Sequence, residues 1–256
     1  MLNLVTAREV IRREIEGARD VLEVGRESLW RAETRLPGWS VADLAAHLAW
    51  GQALQADAWQ KILLRDASPV TAAEVSGDRT QVLEALRANA EALAANLAKA
   101  TETDLETIAT MPYGPVPAGF LVQIAAMEAG LHGSDLRAAT GRDDSLPVDV
   151  AHAAHTMISA TAPLLAAGAT SSPAAGTSIA LAPSGEETAR FVFTEPGWQP
   201  GTAAEGPPSV LISGPASEVV LFTFGRRSIA DARGRGLSIE GDADVAARFK
   251  EFFPGP

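Results

Sequence analysis

Over the first two-thirds of the chain, apolar residues return with a helical period. Across 5–31, Val5, Val10, Ile11, Ile15, Val21, Leu22 and Leu29 recur at mixed helical spacings, which predicts one long amphipathic helix. The turn Leu36-Pro37-Gly38 ends it. Ser40, followed three positions later by Asp43, predicts an N-cap with an acidic first turn for a helix from Val41 to Leu64. Residues 77–100 place Val82, Leu86, Leu93 and Leu97 on one stripe of a third helix. Met111-Pro112-Tyr113-Gly114-Pro115-Val116-Pro117 reads as a rigid loop, and a fourth helix follows from Ala118 to Ala139, stopping near Gly141. A fifth, over 148–167, runs into the small-residue segment Gly168–Gly176, which reads as a linker.

Beyond that linker the period shortens. Thr177–Ala182 and Ala189–Thr194 read as strands around Ser184-Gly185-Glu186. Ser209–Ser213 and Glu218–Thr223 read as two more strands, or as a strand and a short helix. Leu237–Glu240 reads as a last strand and Asp242–Phe253 as a closing helix. The pattern predicts an α+β protein, with a helical domain over residues 1–171 and a small α/β domain over 172–256.

Composition narrows the function. Hydrophobic residues make up 46% of the 256, enough for packed cores, and a charged fraction of 21% excludes wholesale disorder. A net charge of -11 argues against nucleic acid and anionic membrane as partners. No apolar run is long enough to span a bilayer. The first residues lack the order of a signal peptide, so the cytoplasm is the expected location. There is no cysteine. Disulfides, thiolate-ligated zinc and a protein thiol nucleophile are therefore excluded, and any sulfur chemistry needs a thiol from outside.

The candidate chemistry lies among four histidines. Glu128 and His132 are four residues apart, hence on one helix face, together with Phe120, Ile124 and Leu131; that face is expected to point inward. An ionised carboxylate on an apolar stripe is costly unless it is paired or ligates a cation. His47, on the stripe with Leu44 and Leu54, is expected to point inward from the second helix. A bundle that joins the two faces would assemble two nitrogens and one carboxylate, the ligand set of a catalytic zinc site with one open position; nickel, cobalt or ferrous iron would also suit it. A plain hydrogen-bonded Glu–His pair satisfies the same spacing. Asp135 can orient His132, cap the helix or pair with Arg137. Tyr113 either lines the site or packs beneath its loop. His152 and His155 have no acidic neighbour on their helix turn beyond Asp149, so no second metal site is expected. Trp39, Trp50 and Trp59 are expected in the core and at the entrance, and Trp198 in a Pro-Gly-rich loop that covers the site or anchors itself.

Two segments carry a family resemblance. Trp39-Ser40-Val41-Ala42-Asp43-Leu44-Ala45-Ala46-His47-Leu48 resembles the W-S-x-x-D-L-x-x-H-L segment of DinB-like bundles. Glu128-Ala129-Gly130-Leu131-His132-Gly133-Ser134-Asp135-Leu136 resembles the E-x-x-x-H-x-x-D-L segment of the mycothiol-dependent maleylpyruvate isomerase family. Phe224-Gly225-Arg226-Arg227, followed by Leu237-Ser238-Ile239-Glu240-Gly241-Asp242, resembles more weakly that family's sterol-carrier-like second domain. The resemblance implies a DinB-like metal-binding bundle followed by a small sterol-carrier-like α/β domain. It implies zinc, or another divalent metal, on His47, Glu128 and His132, with mycothiol or a similar thiol as co-substrate. It also implies an arginine after a glycine that binds substrate carboxylate; the doubled Arg226-Arg227 leaves the choice open, with Arg226 favoured and a solvated basic turn as the alternative. On this reading Arg226 and Asp135 belong to catalysis, and Arg227 and Tyr113 to thiol binding. The implied activity is thiol transfer to a small electrophile, or its cis-trans isomerisation, by a monomer or homodimer. A metal-dependent hydrolase and a non-enzymatic binding or regulatory module are the competing readings.

Overall fold

Asn3 caps the first helix by accepting the Thr6 amide at 2.9 Å, which satisfies one of the donors a helix start leaves over. Helix α1 (Leu4–Val24) ends at Gly25, whose backbone is extended, and a separate α2 (Glu27–Trp30) follows. The single helix expected over 5–31 is thus two, and the break lets the Trp30 indole turn back to the Leu22 carbonyl at 3.4 Å. Val5, expected on the apolar stripe, is exposed; the buried face runs through Ala7, Val10, Ile11, Ala18 and Leu22. The computed structural model describes residues 1–202 and 206–254.

Helix α3 (Val41–Leu64) opens on the predicted capping box: Ser40 Oγ accepts the Asp43 amide at 3.2 Å, and the Asp43 carboxylate accepts the Ser40 amide at 2.8 Å. Helix α4 (Arg79–Lys99) opens on a second box, between Asp78 and Gln81. Two side-chain bonds tie α4 to α3: Asn89 and Asn96 donate to the Ala49 and Ala56 carbonyls at 3.0 and 2.9 Å. Leu22, Trp30, Leu44, Leu48, Leu86 and Leu136 form a core beneath these helices.

The stretch expected as a rigid loop is a hairpin of β1 (Ile108–Met111) and β2 (Gly114–Pro117), antiparallel, with Met111 opposite Gly114 across a Pro112-Tyr113 turn. Helix α5 (Ala118–Ala139) leaves β2 directly and packs along α1. Helix α6 (Val148–Leu165) follows.

The chain divides into two compact units, Met1–Ala153 and Ala154–Pro256. The division falls within α6 because Ile158 and Ala162 belong to the second core. Chain character still changes from helix to strand near residue 172, and there we keep the domain boundary as a proposal. The second unit holds a five-stranded sheet in the order β5-β4-β3-β6-β7, from β3 (Ser178–Pro183), β4 (Ala189–Thr194), β5 (Gly197–Pro200), β6 (Val210–Gly214) and β7 (Ser238–Gly241). Only β3 and β6 are parallel neighbours. Glu218–Thr223 lies in a helix, α7 (Ala216–Thr223), with α8 (Ile229–Gly234) after it. The closing helix is two pieces, α9 (Ala243–Ala247) and α10 (Phe249–Phe252). Trp198, expected in a loop, is on β5 and 3% exposed, packed against Phe193, Phe252 and Phe253. It is a core residue of this unit.

Within the first unit, Gly130 on α5 permits a close approach. A Cβ there would lie 2.2 and 2.7 Å from the two Val150 methyls and 3.0 Å from its Cβ. Gly130→Ala gains about 1 kcal/mol of helix propensity but overpacks a short, stiff side chain, which costs about 1–3 kcal/mol. A net loss of about 1 kcal/mol is expected from chemical denaturation of the intact chain. A raised midpoint would show that α6 yields freely.

Candidate metal centre

The capping box fixes where α3 begins, and His47 stands two turns further in. Glu128 and His132 are one turn apart on α5. The donor atoms of the three all lie within 4.8 Å of one another, and among the described residues this is the one such group. Glu128 Oε2 is 3.5 Å from His47 Nε2 and 3.2 Å from His132 Nε2. The two imidazoles meet edge to face with centroids 4.9 Å apart. Ligand atoms about 2.0–2.1 Å from a tetrahedral ion stand about 3.3 Å from each other, so two nitrogens and a carboxylate oxygen at these spacings suit a borderline divalent cation.

The face that carries Glu128 is not the core face. Phe120 and Ile124 are half-buried, while Leu121, Val122, Ala125, Ala126 and Ala129 fill the interior. The inward stripe expected for Glu128 is therefore the border of the bundle. The side chains of His47 and Glu128 keep 29% and 38% of their surface, against 8% for His132. The cluster is closed on the His132 side and open on the other.

His132 is held from behind. Its Nδ1 lies 3.0 Å from Asp135 Oδ2, one turn along α5, and Asp135 is fully buried. Arg35 donates from Nε to the other Asp135 oxygen at 2.7 Å, from Nη1 to Asp144 at 2.7 Å, and from Nη2 to the Ser134 hydroxyl at 2.5 Å. The Nδ1 contact sets Asp135 directly behind the His132 ring. Arg137 is directed to Glu14 at 3.4 Å and to the Asp143 and Ser145 carbonyls. Arg35 had no sequence signal, since it lies outside any motif and about a hundred residues from its partner.

Electrostatics follow the contacts. Burial opposes ionisation of Glu128, but its bonds to His132 and His47 and their charges hold it well below the usual carboxylate range. Burial also disfavours protonated His132, yet Asp135 and Glu128 outweigh it and push the imidazole up to about 9 without metal. Tyr113, at the hairpin turn, is largely exposed; partial desolvation and then the Glu128 charge raise its phenol above the usual range. Trp39 stands edge-on to His47 at 5.0 Å and parallel to His132 at 6.5 Å, and Trp50 is 5.9 Å from His47. These two half-buried indoles flank the imidazoles, while Trp59 is pure core.

The remaining candidates lie in the second unit or on α6. Arg227 makes a buried ion pair with Glu218 at 3.0 Å, both side chains under a tenth exposed. The assignment of Arg227 to thiol binding stays a proposal beside that pairing. Arg226 donates to the Phe224 carbonyl at 2.7 Å, and with Arg227, Asp231 and Arg235 it lines an open cavity of about 360 Å³. His155 donates to the Glu187 carbonyl at 2.7 Å, and Asp149 is held by both terminal nitrogens of Arg13 at 2.8 and 2.9 Å.

Comparison with known proteins places this geometry. Residues 11–137 match the family model of the mycothiol maleylpyruvate isomerase N-terminal domain. A crystal structure of the mycothiol-dependent maleylpyruvate isomerase matches at 16% identity over 94% of this chain and 95% of that one, with a TM-score of 0.66. A histidine-to-alanine mutant of that isomerase matches at the same identity and coverage, with a TM-score of 0.67. No curated protein sequence matches the chain. Residues 11–137, which carry all three converging residues, belong to the mycothiol maleylpyruvate isomerase N-terminal domain family.

Proposed function

We propose that this chain is a metal-assisted, thiol-dependent isomerase of a small electrophilic acid, with mycothiol as the thiol and S-transfer as the closest variant of the same chemistry. The observation that carries the reading is the convergence of His47, Glu128 and His132, closed by Asp135 behind and open in front. The family and the solved isomerases of the same fold supply the thiol and the reaction class.

A divalent ion bound there would supply the positive charge that favours a thiolate near neutral pH. The chain's residues do the rest. Asp135 accepts the Nδ1 proton of His132 and so turns its Nε2 toward the cluster. Glu128 and His47 keep part of their surface exposed, and that is the side from which a thiol would approach. Isomerisation itself is redox-neutral: the thiolate sulfur adds to one carbon of an activated double bond, the remaining single bond rotates, and the same thiolate leaves. Arg226 is the proposed carboxylate-binding residue, by the fork match of guanidinium to carboxylate. The hydrolase reading needs a general base beside the site. Asp135, the candidate, is sealed in the interior against His132 and Arg35.

Metal analysis of the purified chain tests the reading. About one equivalent of divalent metal is expected, lost in His47→Ala and Glu128→Gln. Isomerisation of a small unsaturated acid should then require both metal and thiol. Arg226→Gln should leave metal content intact and raise KM for the acid about 10- to 100-fold. A wild-type chain without stoichiometric metal, with His47→Ala altering neither metal content nor activity, overturns it.

The protonation of His132 gives a second test, on metal-free protein. Its folded pKa of about 9 lies above the unfolded value near 6.5. The stability it contributes is therefore fully present below about pH 6.5 and lost as pH rises through about 9. Thermal melts across that window should fall for the wild type and lose this component in His132→Gln. A metal loaded below about pH 9 must displace the Nε2 proton, so calorimetry in buffers of different ionisation enthalpy should show proton release.

A further inference from the structure

We propose that Arg35 is a positioning residue for the metal centre, acting on His132 through Asp135. The inference rests on the metal reading above.

Asp135 is a fully buried carboxylate with His132 on one oxygen and Arg35 on the other. Each oxygen thus has its own partner, and the plane of the carboxylate is set by both. The Arg35 guanidinium is itself fixed at two further points, Asp144 Oδ2 and Ser134 Oγ, and its side chain is only 15% exposed. Ser134 closes the circuit by donating to the Asp144 carbonyl at 2.5 Å. A planar fork reaches three acceptors in three directions; an ammonium on a flexible stem does not hold them in that arrangement.

The loop that bears Arg35 matters as much. Residues 33–40 are closed by a Glu33–Ser40 bridge and by Thr34, whose amide and hydroxyl both donate to the Trp39 carbonyl at 2.9 Å. The same short loop presents Trp39 to both imidazoles and starts α3, which carries His47. Arg35 therefore joins the start of one ligand-bearing helix to the residue that orients a ligand on the other. Its loss would leave a buried carboxylate without its cation and free the Asp135–His132 contact to turn.

The test is Zn²⁺ affinity of the full chain, by competition with a chromogenic chelator, with Co²⁺ absorption as a second reading of ligand geometry. Arg35→Ala should weaken Zn²⁺ binding about 10- to 100-fold, with partial recovery in Arg35→Lys. Asp135→Asn should weaken it similarly, and the Arg35→Ala/Asp135→Asn double variant should bind no more weakly than Asp135→Asn alone, because both changes break one path. Arg137→Ala removes an arginine directed to Glu14 and to the Asp143 and Ser145 carbonyls, and should stay within about twofold of wild type. If Arg35→Ala fails to fold, Arg35→Lys and Arg35→Gln carry the same comparison. Wild-type affinity in the Arg35 variants, or losses that multiply in the double variant, overturn the role of Arg35 alone. Wild-type protein that binds neither Zn²⁺ nor Co²⁺ overturns the metal reading and this inference with it.

Discussion

A carboxylate without solvent is the constraint on which the first unit's arrangement turns. Asp135 is fully buried on α5, and an isolated ion in that position would cost several kcal/mol even after relaxation. It must therefore meet positive charge and hydrogen-bond donors on both oxygens. Arg35 and His132 provide them. Meeting that demand brings the loop before α3 back onto α5, although about a hundred residues separate the two in sequence. The same loop leads into the Ser40 capping box, where α3 begins and from which His47 is two turns in. Packing alone would allow these helices to slide; a buried charge with directional partners does not.

Two carboxylates seven residues apart on the same helix then take opposite roles. Asp135 is sealed behind His132, while Glu128 lies in front of it on the half-open border. The imidazole stands between them, with Asp135 on Nδ1 and Glu128 on Nε2. Both raise its proton affinity when no metal is bound. The same Asp135 contact makes neutral His132 a better donor, because a carboxylate on one ring nitrogen enriches the other. Proton and cation thus compete for one nitrogen whose affinity for each is set from behind. Glycine completes the placement: on the far side of α5, Gly130 lets Val150 lie against the helix backbone.

Much of this was legible in the sequence, for local reasons. The Ser40–Asp43 spacing encodes a cap whatever the tertiary context, and α3 and α5 begin and end where their patterns place them. The Glu128–His132 spacing likewise fixes two donors on one face. What failed were inferences that needed a partner. The Phe120-Ile124-Glu128 stripe reads as core because it is apolar, but α5 has a second apolar face of small residues that is the true interior. Arg35 carries no local signal, because its role exists only once α5 returns beside it. The Pro112-Tyr113 turn reads as a rigid loop, since two short strands with two prolines between them and a third in the turn look unlike a ladder. Trp198 reads as loop because β5 is only four residues long and begins on a glycine and ends on a proline. The Arg227–Glu218 ion pair likewise has no local signal, because Glu218 lies on an element whose type the pattern leaves undecided.

The chain's chemistry also depends on what it does not offer. It contains no cysteine, so no side chain can serve as a sulfur nucleophile. Glu128 is drawn into the cluster by two imidazoles and held ionised, so its lone pairs are engaged where a cation would sit. Asp135 is committed to His132 and Arg35. Among the described residues, a metal-bound water in this site would find no uncommitted carboxylate to take its proton in the way a hydrolase requires. A thiol is far more acidic than water and needs only a nearby positive charge to ionise. Among the described residues the site offers a candidate cation position with one open side and no uncommitted base, the combination that would favour a nucleophile able to give up its proton unaided.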